Sequence, residues 1–211
     1  MVIIGLYVRL QLAETPVFQA VVDDGEKAKT PLATAMRTAW RPMVLGTFIM
    51  LATYTLFYLM TAWASSYGTK KSTAEQVTNL GIAPTTFIKM QLIAVLFFAV
   101  CIPVSGLLAD RLGRKPVLIA VTVAIIIFGI SFSLFIGPDV ADQTRMLWFL
   151  IVGMTLMGLT FGPMSAVLPE LFATNIRYTG SGLSYNMASI LGAAVAPFIA
   201  TALASSHGVG A

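Results

Sequence analysis

Asp110-Arg111-Leu112-Gly113-Arg114-Lys115-Pro116-Val117 puts one acid and three bases into eight residues, between two long apolar segments, Phe87 to Ala109 and Val117 to Ile136. Each flank is about long enough to cross a hydrocarbon core as a helix, which takes about 20 residues. Three cations between two such segments belong at a membrane surface, so the stretch reads as a short hairpin loop joining two spanning helices. That reading fixes the fold class as an all-α integral membrane protein.

The composition agrees. Hydrophobic residues make up 57% of the 211-residue chain and charged residues 10%. A soluble domain carries about a quarter charged residues, so a soluble fold is excluded. The net charge of +4 does not mark a nucleic-acid partner, because the cations are scattered over short loops between apolar runs. The single cysteine, Cys101, lies in an apolar span and His207 is the only histidine. An intrachain disulfide is therefore impossible, and no metal-ligand cluster, cofactor loop or nucleophile with a nearby base is present to indicate an enzyme.

Outward from the hairpin, five segments qualify as complete transmembrane helices by length and lack of charge: about 42–66, 87–109, 117–136, 147–168 and 181–203. In lipid each has to be helical, since no water is available to pair an open strand edge. Residues 1–41 read as the end of a preceding helix followed by a polar linker, a loop or surface helix outside the membrane. Residues 42–204 form the bundle, and 205–211 are a polar tail after which a further crossing is expected. The start, Met1 to Val8, is too short to span and carries its cation, Arg9, on the wrong side for a secretory signal.

Cation placement predicts orientation. Arg9, Lys27, Lys29, Arg37, Arg41, Arg111, Arg114, Lys115 and Arg177 fall on one side, nine in all, against Lys70, Lys71, Lys89 and Arg145 on the other. The positive-inside rule then makes the Asp110 hairpin cytoplasmic in a multi-pass protein of the bacterial cytoplasmic membrane.

The string Gly106-Leu107-Leu108-Ala109-Asp110-Arg111-Leu112-Gly113-Arg114-Lys115 resembles the loop signature of the major facilitator superfamily of secondary transporters. Leu10-Gln11-Leu12-Ala13-Glu14-Thr15-Pro16 resembles the end of the sixth helix in its metabolite:proton symporters. The stretch from Glu170-Leu171-Phe172 through Arg177-Tyr178-Thr179-Gly180 to Tyr185-Asn186 looks like the loop between helices ten and eleven of that subfamily. The resemblance implies the carboxyl-terminal part of a proton-coupled symporter for a small polar metabolite, such as an organic acid or osmolyte, working by alternating access. The partners it implies are the bilayer, the substrate, the proton and a missing amino-terminal half. The alternative is a truncated membrane fragment that does not transport and only associates with a partner half.

Several side chains are candidates for that work. Gly106, Asp110, Arg111, Gly113, Arg114 and Lys115 suit a gating loop, in which Asp110 bonds a neighbouring helix end or cation in one state only and Gly113 makes the tight turn. The plainer reading, that the bases merely hold the loop inside, fits Arg114 and Lys115 as well. Glu170 and Arg177 flank a turn and allow an ion pair that breaks and reforms. Thr47, Tyr54, Tyr58 and Thr61 share one helical face; the tyrosines are expected to line a substrate cavity and the threonines to pack. Gln91 and Asn186 each offer an amide that contacts substrate or bonds another helix. Lys89 is expected to snorkel. Gly158 and Gly162 are expected to let helices approach closely, and Trp63 and Trp148 to sit in an interfacial belt. No acid falls inside a span, so the proton-carrying group is expected in the missing half.

Overall fold

The computed structural model describes residues 6–7, 31–70, 80–136 and 142–207. The described residues form helices and their connections. In chain order the helices are α1 (Pro31–Thr38), α2 (Trp40–Thr69), α3 (Pro84–Leu112), α4 (Arg114–Ile130), α5 (Phe132–Phe135), α6 (Gln143–Glu170) and α7 (Arg177–His207). Of the expected helix end near Met1, Leu6 and Tyr7 are described and helical; most of the linker, residues 8–30, lies outside the described residues. The rest of the linker is α1, joined to α2 through a bend at Ala39.

Among the described residues four helices are long and apolar enough to cross a membrane: α2, α3, α6 and α7. The expected span over 117–136 folds differently. It is the 17-residue α4, followed by the four residues of α5. The break falls at Ser131, whose backbone leaves the helical region (φ −83°, ψ 7°). Its hydroxyl turns back to donate to the Phe128 carbonyl at 3.0 Å, and the adjacent Gly129 weakens the turn before it. The other helices run a few residues past the expected bounds, because polar residues at the ends of an apolar run can continue its backbone ladder into the headgroup region. The helix in the tail likewise continues to His207, and residues 208–211 lie outside the described residues.

α6 is the centre of the bundle. α3 packs along it, α7 packs along α2, and α2 and α4 also meet α6. The α3–α6 contact is as close as the glycines predict. A Cβ on Gly158 would lie 2.6 Å from the Phe98 carbonyl oxygen, and one on Gly162 would lie 2.5 Å from that of Ile102. The Ser105 hydroxyl crosses the same seam to the Gly158 carbonyl at 3.2 Å, the kind of short interhelical bond that small residues permit.

Aromatic side chains fill one end of the bundle, where Phe132 meets Phe149 edge to face with ring centroids 4.6 Å apart. Trp63 belongs to this core. It is buried and stacked on Tyr67 at 5.4 Å, so the expected interfacial role is corrected: the indole packs inside because α5 folds back over it. Trp148 is exposed, as an interfacial residue should be. The other end is packed by Met50, Met164, Leu168 and Phe172 with Ala35 and Ala39 of α1.

Candidate functional site: a charged helix-end cluster and a polar helix seam

The predicted hairpin loop is shorter than its eight residues suggest. Gly113 alone separates α3 from α4, with φ +90° and ψ 148°. A side chain strains that backbone, so glycine is what allows the chain to reverse there. Asp110 and Arg111 are consequently the last turn of α3, and Arg114 and Lys115 the first turn of α4.

This geometry brings Arg114 to Glu170, at the end of α6, in a direct ion pair. Glu170 was expected opposite Arg177; instead Arg177 Nε donates to the Phe172 carbonyl at 3.4 Å, and the Glu170 carboxylate reaches α4. The hydrogen bond and charge of Glu170, and then the charge of Asp110, hold the Arg114 guanidinium above its ordinary range despite some desolvation. Both partners sit at the unfavourable end of a helix: a cation at the N-terminus of α4 and an anion at the C-terminus of α6. Each therefore relieves the other, and separating them exposes both to the wrong helix dipole. Such a contact is suited to being made in one arrangement and broken in another.

The polar face of α2 meets α7. The Tyr58 hydroxyl and the Ser189 hydroxyl share a hydrogen bond of 3.3 Å, and Tyr54 meets Tyr185 edge to face at 6.4 Å. Gly192 lets the backbones close, since a Cβ there would lie 2.8 Å from that of Tyr54. Ser189 shares the helical face of Asn186, as the sequence leads one to expect, whereas Tyr185, one turn before Ser189, is a partner the sequence reading did not single out. The Asn186 side chain is exposed and donates to its own helix, to the Gly182 carbonyl at 2.7 Å.

The stripe predicted on α2 ends at Tyr58. From Leu59 to Trp63 the helix widens into a π turn, which shifts the phase of everything beyond it. Thr61 lies in that turn and donates to the Phe57 carbonyl at 2.6 Å, while Thr47 is buried and donates to the Met43 carbonyl; both hydroxyls bond within their own helix and not across an interface. Gln91 reaches the same turn from α3, its Nε2 donating to the carbonyls of Met60 at 3.2 Å and Thr61 at 3.4 Å. That interhelical bond is one of the two roles expected of it. Lys89 is exposed in the second turn of α3, where its stem can extend to headgroups. A separate groove of about 420 Å³ between α2 and α4, lined by Phe48, Leu51, Ile125 and Phe128, is apolar and lacks convergent polar groups.

The arrangement defines a helical membrane bundle with a charged pair where α4 begins and α6 ends and a tyrosine-lined seam between α2 and α7. The chain belongs to the Major Facilitator Superfamily, whose model matches residues 1–197. It is 48% identical to the inner membrane metabolite transport protein YhjE of Escherichia coli K12, over the whole of this chain and 47% of that protein. It is 44% identical to a putative metabolite transport protein of Haemophilus influenzae, over 99% of this chain and 48% of the other. The ectoine/proline transporter ProP of Corynebacterium glutamicum is 28% identical over 98% of this chain and 41% of its own length. The chain thus spans about half the length of the curated relatives it matches. No solved structure matches.

Proposed function

We propose that this chain is the carboxyl-terminal part of a symporter that couples uptake of a small polar metabolite, an organic acid or an osmolyte, to proton entry by alternating access. The observation that carries the reading is the Arg114–Glu170 pair closing α4 onto the end of α6, with Asp110 beside it. Transporters of this architecture rock two homologous halves about a midplane site, and a helix-end ion pair is the type of contact such a motion makes and breaks. Gly106, Asp110, Arg111, Gly113, Arg114, Lys115, Glu170 and Arg177 are the gate. Tyr54 and Tyr58, with Tyr185 and Ser189, are the polar face turned to substrate, and Asn186, exposed beside them, is free to join it. Gln91 holds α2 in place behind that face. The name of the ectoine/proline transporter among the relatives favours an osmolyte.

In this reading all five apolar segments cross the membrane, α4 and α5 together making the third crossing, and the Gly113 turn is cytoplasmic. The described acids, Asp110, Asp142 and Glu170, all stand at helix ends, so the proton-carrying group is assigned to the other half. The alternative, that the chain does not transport by itself and only associates with a partner half, is favoured by the open surfaces of α3 and α7, whose apolar stretches are each only 17% buried.

The test is uptake of labelled proline, betaine and dicarboxylates into proteoliposomes, by the chain alone and with a relative's amino-terminal half. Uptake that needs both halves and collapses with a protonophore supports the symporter. Uptake insensitive to the protonophore removes the proton coupling, and uptake by the chain alone removes the need for a second half.

A further inference from the structure

We propose that the elbow between α1 and α2 is a binding site for the headgroup of an anionic phospholipid, formed by Arg37, Trp40 and Arg41. The inference rests on the membrane setting of the bundle and not on transport.

The elbow has two faces. Ala35 and Ala39 are buried among Phe172, Ile176 and Leu168, which fixes α1 beside the start of α7 at the same end of the bundle as Arg114 and Glu170. On the opposite face Leu32, Met36 and Trp40 are 53%, 58% and 54% exposed, and Val44 and Phe48 continue the row into α2. Their spacing of four draws one apolar line from the surface helix, through the bend, onto a helix long enough to span. Such a line marks where the span leaves hydrocarbon, and tryptophan is the residue most at home at that depth.

Charge then selects the headgroup. Arg37 and Arg41 each follow a member of the apolar row by one residue and both are exposed. Neither is in an ion pair; among the described residues the one pair is Arg114–Glu170. No Asp or Glu occurs anywhere between Pro31 and Thr69. The Arg41 guanidinium lies over the Trp40 ring at 5.4 Å from its centroid, which orients its planar fork and leaves its N–H edges available. A phosphodiester at this depth accepts from those edges in bidentate fashion, while the indole and Met36 lie against the first acyl carbons. A zwitterionic lipid supplies the phosphate but cancels its charge with choline. An anionic one does not, and two arginines near such a surface gain about 1 kcal/mol each, about fivefold per arginine or about thirtyfold together.

The experiment is native mass spectrometry of the purified chain in micelles, titrated with phosphatidylglycerol or phosphatidylcholine, with helicity checked by circular dichroism. Wild type should retain phosphatidylglycerol preferentially. Arg37→Gln/Arg41→Gln should lower that affinity about thirtyfold, Trp40→Leu should lower it less, and Arg145→Gln, at the other end of the bundle, should leave it unchanged. If the double variant does not fold, the single variants and the loss of preference at 0.5 M salt, where the screening length shortens to about 4 Å, carry the same test. Equal retention of both lipids, or an undiminished preference in Arg37→Gln/Arg41→Gln, overturns the proposal. Self-association through the elbow, lost in Trp40→Leu without lipid preference, would show that a second copy covers it instead.

Discussion

Gln91→Leu separates the two things an amide inside a membrane bundle can do. In the structure the Nε2 group donates across the α3–α2 interface to Met60 O at 3.2 Å and Thr61 O at 3.4 Å. Both acceptors lie in the π turn of α2. Leucine keeps nearly the same volume and helix propensity, so little changes except the donor. Hydrogen bonds between membrane helices average about 0.6 kcal/mol and reach about 1.7 kcal/mol. Two long bonds from one nitrogen belong in the middle of that range, so the expected loss is about 1 kcal/mol, with no hydrophobic gain to offset it because lipid is as apolar as the leucine. Reversible unfolding of the chain in mixed micelles with increasing dodecyl sulfate measures this directly. Gln91→Asn, one methylene too short to reach, should lose about as much while remaining polar. If both variants stay within about 0.3 kcal/mol of wild type and substrate affinity of the two-half transporter falls instead, Gln91 is a substrate contact and the bridging argument is wrong.

Breaking the gate should affect motion far more than stability. The pair is exposed, 37% at Arg114 and 61% at Glu170, so Glu170→Gln should leave unfolding nearly unchanged yet alter uptake, and Arg114→Glu/Glu170→Arg should restore part of it. Uptake unchanged in Glu170→Gln at equal expression would remove the pair from the mechanism. Asp110→Asn should slow transport more than it weakens substrate binding, measured as maximal rate against half-saturation in the two-half transporter. Gly162→Val should destabilise the bundle by about 1–3 kcal/mol or more, because the added Cβ would stand 2.5 Å from the Ile102 carbonyl oxygen; normal unfolding would mean α3 and α6 are not so close in the membrane. Finally, cysteines introduced at Leu112 and Ser72 should be shielded and labelled, respectively, by an impermeant thiol reagent in intact cells, and the reverse pattern would invert the orientation.

The parts of this fold legible in the sequence are those that lipid dictates. Uninterrupted apolar length announces α2, α3, α6 and α7, and the Asp110 to Lys115 cluster announces the reversal between α3 and α4, because charge has few places to go in a bilayer. Gly113 was legible for the same reason: a turn with no room for loop residues needs a backbone that only glycine adopts easily. The break at Ser131 was not, since Val117 to Ile136 carries no charge and its few hydroxyl residues do not distinguish a straight crossing from a helix that turns at Gly129-Ile130-Ser131 to lay Phe132 on Phe149. The π turn was equally hidden. It places the Thr61 carbonyl, rather than the Thr61 hydroxyl, at the contact with α3, and no periodicity count assuming 3.6 residues per turn can anticipate that.

Partners across the bundle were the least legible, and the reason is physical. In water the apolar face of a helix names its inner side; in lipid every side is apolar, so hydropathy says where a helix lies in depth and almost nothing about which face it turns inward. Only small and hydroxyl residues carry that information. Gly158 and Gly162 marked α6 as a helix that another approaches closely without naming α3, and Ser189 was legible on the face of Asn186, while Gly192, which sets Tyr54 against α7, passed for an ordinary residue. The ion pair shows the same limit in the aqueous direction: proximity in sequence favoured Arg177 for Glu170, yet the one-residue turn at Gly113 holds Arg114 at the head of α4, where α6 ends. Opposite charges at the mismatched ends of two helices are then a stronger guide than sequence distance, because each charge is costly where it stands until the other arrives.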